Sequence, residues 1–166
     1  MSASSTVWQG AGRRIHMQEV GTRDGLQMEQ AFVPTEEKIA LVNALSNAGL
    51  SKIEVTSFTS PTAIPALRDA EIVMREITRR AGTVYTALVP NVRGAERAIE
   101  ARTDELNLVM SASETHNISN LRMTREQSFA SLAQVVATAQ AAQVAVNVSL
   151  SCVFGCPMEG NVHASA

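Results

Sequence analysis

At 166 residues the chain has the length of one domain, enough to bury roughly two-thirds of the surface its unfolded form exposes. Hydrophobic residues make up 45% and charged residues 18%, a globular composition that excludes a disordered chain. A net charge of −2 excludes a general nucleic-acid binder, which needs a basic face to displace counterions from phosphate. No apolar run reaches the roughly 20 residues that span a bilayer.

Residues 1–13 read as a flexible leader. They have no charged start followed by an apolar core, so they are not a secretory signal. Residues 14–166 form the domain, and its elements alternate. Arg14–Val20 is predicted to be a strand. Pro34–Ala48 follows as a helix, with Thr35 as its cap, Glu36 and Glu37 at the positive end of the dipole, and Gly49 as the stop. Lys52–Phe58 is the second strand. A helix after Pro65 carries Leu67, Ala70, Val73, Met74 and Ile77 and closes at Gly82. Then come a strand over Thr83–Val89, a short helix over Val92–Ala101 and a strand over Glu105–Met110. Thr124 to Gln127 has capping-box spacing and opens a helix reaching about Ala142, and Val144–Ser151 is the fifth strand.

Such alternation gives parallel strands with helices outside, in either an open doubly wound sheet or a (β/α) barrel. Polar residues gather just past the strand ends: Arg23-Asp24, Ser57, Asn91, Ser111–Asn117 and Cys152 onward. That favours a barrel, whose sites are built on its C-terminal rim. No glycine fingerprint follows the first strand, which weakens a dinucleotide-binding alternative.

Two places carry candidate chemistry. Arg23 and Asp24 are adjacent in a loop: a plain surface ion pair, or a carboxylate for a hard cation with a guanidinium beside it. Glu54 interrupts Ile53-Glu54-Val55 within a strand that helices cover. It either reaches solvent at the strand end or points into the barrel towards Arg23, where desolvation demands a partner. His16, His116 and His163 lack the spacing of a ligand pair, and Cys152 and Cys156 have no second pair to make a zinc site. Two cysteines in a chain without an export signal indicate reduced thiols and a cytoplasmic protein. Asn117-Ile118-Ser119 and Asn147-Val148-Ser149 match the glycosylation pattern, which without export carries no meaning.

Three segments together resemble the hydroxymethylglutaryl-CoA lyases: Glu19 to Gln27 (EVGTRDGLQ), Ile53 to Pro61 (IEVTSFTSP) and Ser151 to Gly160 (SCVFGCPMEG). These lyases belong to a wider family of metal-dependent lyases and Claisen-type synthases on the TIM (β/α)8 barrel, and the likeness runs from about Ile15 to Gly160. It implies an α/β fold made of the first five βα units of that barrel. It implies a metal ligand at Asp24 for Mg²⁺ or Mn²⁺, catalytic residues Arg23 and Glu54, and substrate-binding residues Arg23, Gln27 and Ser57. The substrate would be a CoA thioester, 3-hydroxy-3-methylglutaryl-CoA or a related 3-hydroxyacyl-CoA, cleaved to acetyl-CoA and acetoacetate as in leucine degradation. Thr22 stands where proline is common in the lyases, and Met28 where asparagine is common. The family's remaining metal ligands are expected beyond residue 166, so the chain alone is expected to be inactive. A homo-oligomer with no nucleic-acid or membrane partner is expected. The alternatives are a Claisen condensing synthase or aldolase of the same superfamily, and a non-catalytic half-barrel that self-associates.

Overall fold

The computed structural model describes residues 16–163; the leader and the last three residues lie outside the described part. Five parallel strands form one sheet in the order of the chain: β1 (Gln18–Glu19), β2 (Lys52–Ser57), β3 (Val84–Leu88), β4 (Glu105–Ser111) and β5 (Ala145–Ser151). Helices α1 (Thr35–Asn47), α2 (Ala70–Glu76), α3 (Val92–Glu100), α4 (Glu114–Leu121) and α5 (Arg125–Ala141) occupy the connections. Neighbouring strands are sequential and parallel throughout, which is the start of a TIM barrel and not a doubly wound sheet.

The core lies between the sheet and the helices. Ile53, Val55, Tyr85, Ala87, Leu106 and Leu108 project from alternate strand positions into it and meet Val42, Val73, Met74, Ala95, Val135 and Ala139 of the helices. Strand periodicity then turns the intervening residues to the other face. The register sets Glu54 beside Thr86, Thr86 beside Glu105, and Asn107 between Leu88 and Asn147. The concave face of this half-barrel is therefore polar.

Several elements depart from their sequence expectation for identifiable reasons. Thr35 does not cap α1: Pro34 holds that position, and the Thr35 hydroxyl donates to Asp69 Oδ2 at 2.8 Å. The other oxygen of Asp69 accepts from buried Lys38 Nζ at 2.7 Å, so the carboxylate ties α1 to the start of α2. The helix expected from Pro65 to Gly82 is broken into a 3₁₀ turn, Pro65–Leu67, and the seven residues of α2. It ends at Ile77, whose backbone is extended, because side chains elsewhere take the next amides: Thr78 N–H donates to Asn43 Oδ1 and Arg80 N–H to the Tyr85 hydroxyl. Residues expected to be rim loop after β4 instead form α4, capped by Ser113, whose hydroxyl accepts from His116 N–H. The capping box at Thr124 is formed. Of the expected strand Arg14–Val20, Gln18–Glu19 pairs with β2, and Arg14 and Ile15 lie outside the described residues.

Candidate active site

The chain leaves β1 and makes one wide turn, Gly21–Gly25, in which the N–H groups of Arg23 and Asp24 both reach Val20 O, at 3.0 and 2.7 Å. Thr22 fixes this turn to the sheet. It is buried, and its hydroxyl donates to Glu54 O at 2.7 Å. A proline at this position has no hydroxyl to do so; Thr22 is thus bonded to the strand, while Met28 points into solvent.

Anchored in this way, the turn lays Arg23 over Glu54. The Arg23 side chain is 16% exposed and Glu54 1%, whereas Asp24 is 61% exposed. The guanidinium spans both carboxylates: Nη1 donates to Asp24 Oδ1 at 2.8 Å and Nη2 to Glu54 Oε2 at 3.5 Å. Nε lies 3.3 Å from Glu54 Oε1 at an angle that makes no hydrogen bond, leaving a buried N–H donor without an acceptor. Such a group is costly unless a ligand completes it. Of the two readings of Glu54, the inward one holds: the carboxylate is buried and charge-paired with Arg23.

Gln27, one turn on, also presents a buried atom without a partner, its amide oxygen Oε1. Arg23 and Gln27 line one cavity of about 540 Å³, walled by Ile64, Leu88, Val109 and Leu121. Ser57 is buried at the end of β2, and its hydroxyl is shared with Thr59 Oγ1 at 2.7 Å and with Thr59 N–H at 3.2 Å. Thr59, not Ser57, reaches the cavity.

Sequence reasoning placed none of Asn107, Asn147 and Ser149 in the site. Asn107 Nδ2 donates to Glu54 Oε1 at 3.0 Å, and Asn107 Oδ1 accepts from Asn147 Nδ2 at 2.9 Å and from Ser149 Oγ at 3.2 Å. The signal was present in Leu106-Asn107-Leu108, a buried-strand pattern interrupted by an amide, just as Ile53-Glu54-Val55 is by a carboxylate.

Among the described residues no three His, Cys, Asp or Glu side chains come together as a metal cluster. Asp24 nonetheless fits a hard cation as a single ligand: one of its oxygens pairs with Arg23, and the side chain is open to solvent. At the opposite side of the rim, the carboxylate of Glu159 closes onto the first turn of α4, accepting from Thr115 N–H at 2.6 Å. Hydrogen bonds from Thr115 hold its pKa below the usual carboxylate value. The Cys156 thiol is likewise lowered, first by a hydrogen bond with Ser113.

The family model described as HMGL-like matches residues 14–164. The chain belongs to the HMGL-like family. Its relatives include the hydroxymethylglutaryl-CoA lyase of Bacillus subtilis, 49% identical over 90% of this chain and 50% of that one. The mitochondrial hydroxymethylglutaryl-CoA lyase of Gallus gallus is 40% identical over 92% of this chain and 51% of its own. Among solved structures, an HMG-CoA lyase from Acinetobacter baumannii in complex with coenzyme A and 3-methylmalate superposes with a TM-score of 0.84. It is 51% identical and covers 89% of this chain and 48% of its own. The HMG-CoA lyase structure from Bacillus subtilis superposes at 0.87, over 90% of this HMGL-like chain and 50% of the other. The chain spans about half the length of the curated relatives it matches.

Proposed function

We propose that this HMGL-like chain contributes the Arg23–Asp24 wall of the active site of a carbon–carbon lyase that cleaves 3-hydroxy-3-methylglutaryl-CoA, or a related 3-hydroxyacyl-CoA, to acetyl-CoA and acetoacetate. The observation that carries this reading is that Arg23 and Gln27 line one cavity and each holds a buried polar atom, Nε–H and Oε1, without a hydrogen-bond partner. A polar ligand in that cavity would offset the cost.

Cleavage begins when the tertiary hydroxyl of the substrate loses its proton to a base. The oxyanion collapses to the ketone of acetoacetate, the carbon–carbon bond breaks, and its electron pair passes to the thioester carbonyl as an enolate, which a proton then converts to acetyl-CoA. Arg23, held on the cavity wall between Glu54 and Asp24, supplies the positive charge for the enolate oxygen. Glu54 holds the guanidinium in place from beneath, and Gln27 orients the acyl group. Asp24 would hold Mg²⁺ or Mn²⁺, which, when bound, polarises the hydroxyl and acyl oxygens. As one carboxylate among the six or so ligands that such a cation takes, it does not retain the metal by itself. The chain alone is accordingly proposed to be inactive.

The cytoplasmic compartment and a place in leucine degradation belong to the same proposal. The free thiols of Cys152 and Cys156 support the compartment. Among the described residues no helix is long and apolar enough to cross a membrane.

Acetoacetate release tests the reading. The chain is mixed with the C-terminal half of the Bacillus subtilis lyase, co-elution is verified, and 3-hydroxy-3-methylglutaryl-CoA is added with Mg²⁺. Acetoacetate is expected from the mixture, not from the chain alone, and not from an Arg23→Gln mixture. Condensation of acetyl-CoA with a 2-oxo acid in its place would favour the synthase alternative. Chelator-sensitive cleavage by the chain alone would overturn the proposed inactivity.

A further inference from the structure

We infer that Asn107 is a positioning residue that holds the Glu54 carboxylate off a tight bridge with Arg23, by drawing on the oxygen nearest the Arg23 Nε–H. The inference deepens the proposed function, since it rests on Arg23 being the group that receives the substrate's negative charge.

Glu54 Oε1 has two neighbours that pull it in different directions: Arg23 Nε at 3.3 Å, poorly aligned, and Asn107 Nδ2 at 3.0 Å, which makes the hydrogen bond. An ionised carboxylate only accepts, so the Asn107 amide must turn its NH₂ towards Glu54. Its oxygen then faces β5, where Asn147 Nδ2 and Ser149 Oγ donate to it at 2.9 and 3.2 Å. A flipped amide would set oxygen against oxygen at Glu54 and NH₂ against NH₂ at Asn147. The carboxylate thus fixes the orientation of a buried amide on β4, Asn147 and Ser149 on β5 hold that amide from its other side, and the amide in turn sets how the β2 carboxylate meets the guanidinium.

Without Asn107, Glu54 tightens its long contacts with Arg23 Nε and Nη2, at 3.3 and 3.5 Å, into a two-point, parallel bridge, the stronger geometry for this pair. The guanidinium is then satisfied by protein and offers the substrate less. Satisfaction of a buried amide alone would not predict this. It would predict a loss of stability with the Arg23 donor unchanged.

The test is the ¹⁵Nε–¹Hε resonance of Arg23 in the labelled 166-residue chain, with neither metal nor acyl-CoA present. In Asn107→Leu the Hε signal is expected to move downfield and its exchange with water to slow by about tenfold, as a charge-assisted hydrogen bond forms. The Asn147→Ala/Ser149→Ala double variant, which touches neither Arg23 nor Glu54 and alters a half-buried and an exposed residue, is expected to shift the signal part of the way. An Arg23 resonance unmoved in folded Asn107→Leu overturns the inference. If that variant does not fold, an unmoved resonance in the double variant does so. Because the sample holds no ligand, either result stands apart from success or failure of the lyase reading.

Discussion

Removing the carboxylate of Glu54 should expose how the site is held together. In Glu54→Leu the mostly buried Arg23 keeps only the exposed Asp24 as a charged partner, and Asn107 loses its acceptor. Breaking one side of a buried pair costs on the order of 3 kcal/mol. The midpoint of urea unfolding should fall accordingly with an unchanged slope; an unaltered midpoint would mean that the pair contributes nothing to the fold. Of these residues the charged ones were legible in the sequence. A carboxylate between Ile53 and Val55 carries a desolvation cost large enough to demand a partner, and Arg23 beside Asp24 demands an account as well. Asn107 carries no such alarm. Its partner lies 53 positions away, and only the register of β2, β3 and β4 brings the two together.

Elements were legible where local chemistry settles them and illegible where side chains from afar decide. The Thr124 box and the α1 stop at Gly49, which has φ +86°, are local, and both form. The end of α2 is set by Asn43 and Tyr85, distant in sequence, so its apolar spacing overstated its length. For α4, the cap at Ser113 was hidden in a polar stretch that reads equally as loop. This helix also carries a pH dependence. The hydroxyl and N–H of Thr115 at its first turn hold the Glu159 pKa below the ordinary value of 4.5. A depressed carboxylate contributes stability that is present above that value and is lost as pH falls through the lower folded one. Wild type should therefore lose more stability than Glu159→Gln between pH 5 and pH 3, on a window set by about pH 4.5 and below. Parallel urea midpoints for the two chains would contradict this.

Across the molecule, the sheet runs from β1 to β5 without closing, and the outward rows differ along it. Ile53, Tyr85 and Leu106 are covered by helices, whereas Val148 and Leu150 on β5 are 52% and 47% exposed, near Phe129 and Met110. The barrel was legible in the polar residues just past the strand ends, since strand and helix alternation alone also fits a doubly wound sheet. The cavity walls were not, since Leu121 belongs to the unforeseen α4. The proposed chemistry turns on Asp24 supplying one ligand to a divalent cation beside the Arg23 guanidinium. Mn²⁺ titrated in excess into the ¹⁵N-labelled chain measures this directly, since paramagnetic broadening registers even the brief occupancy that one carboxylate gives. Line broadening centred on Arg23, Asp24 and Gln27, and abolished in Asp24→Asn, is the predicted result. Broadening elsewhere, or the same broadening in Asp24→Asn, would contradict it.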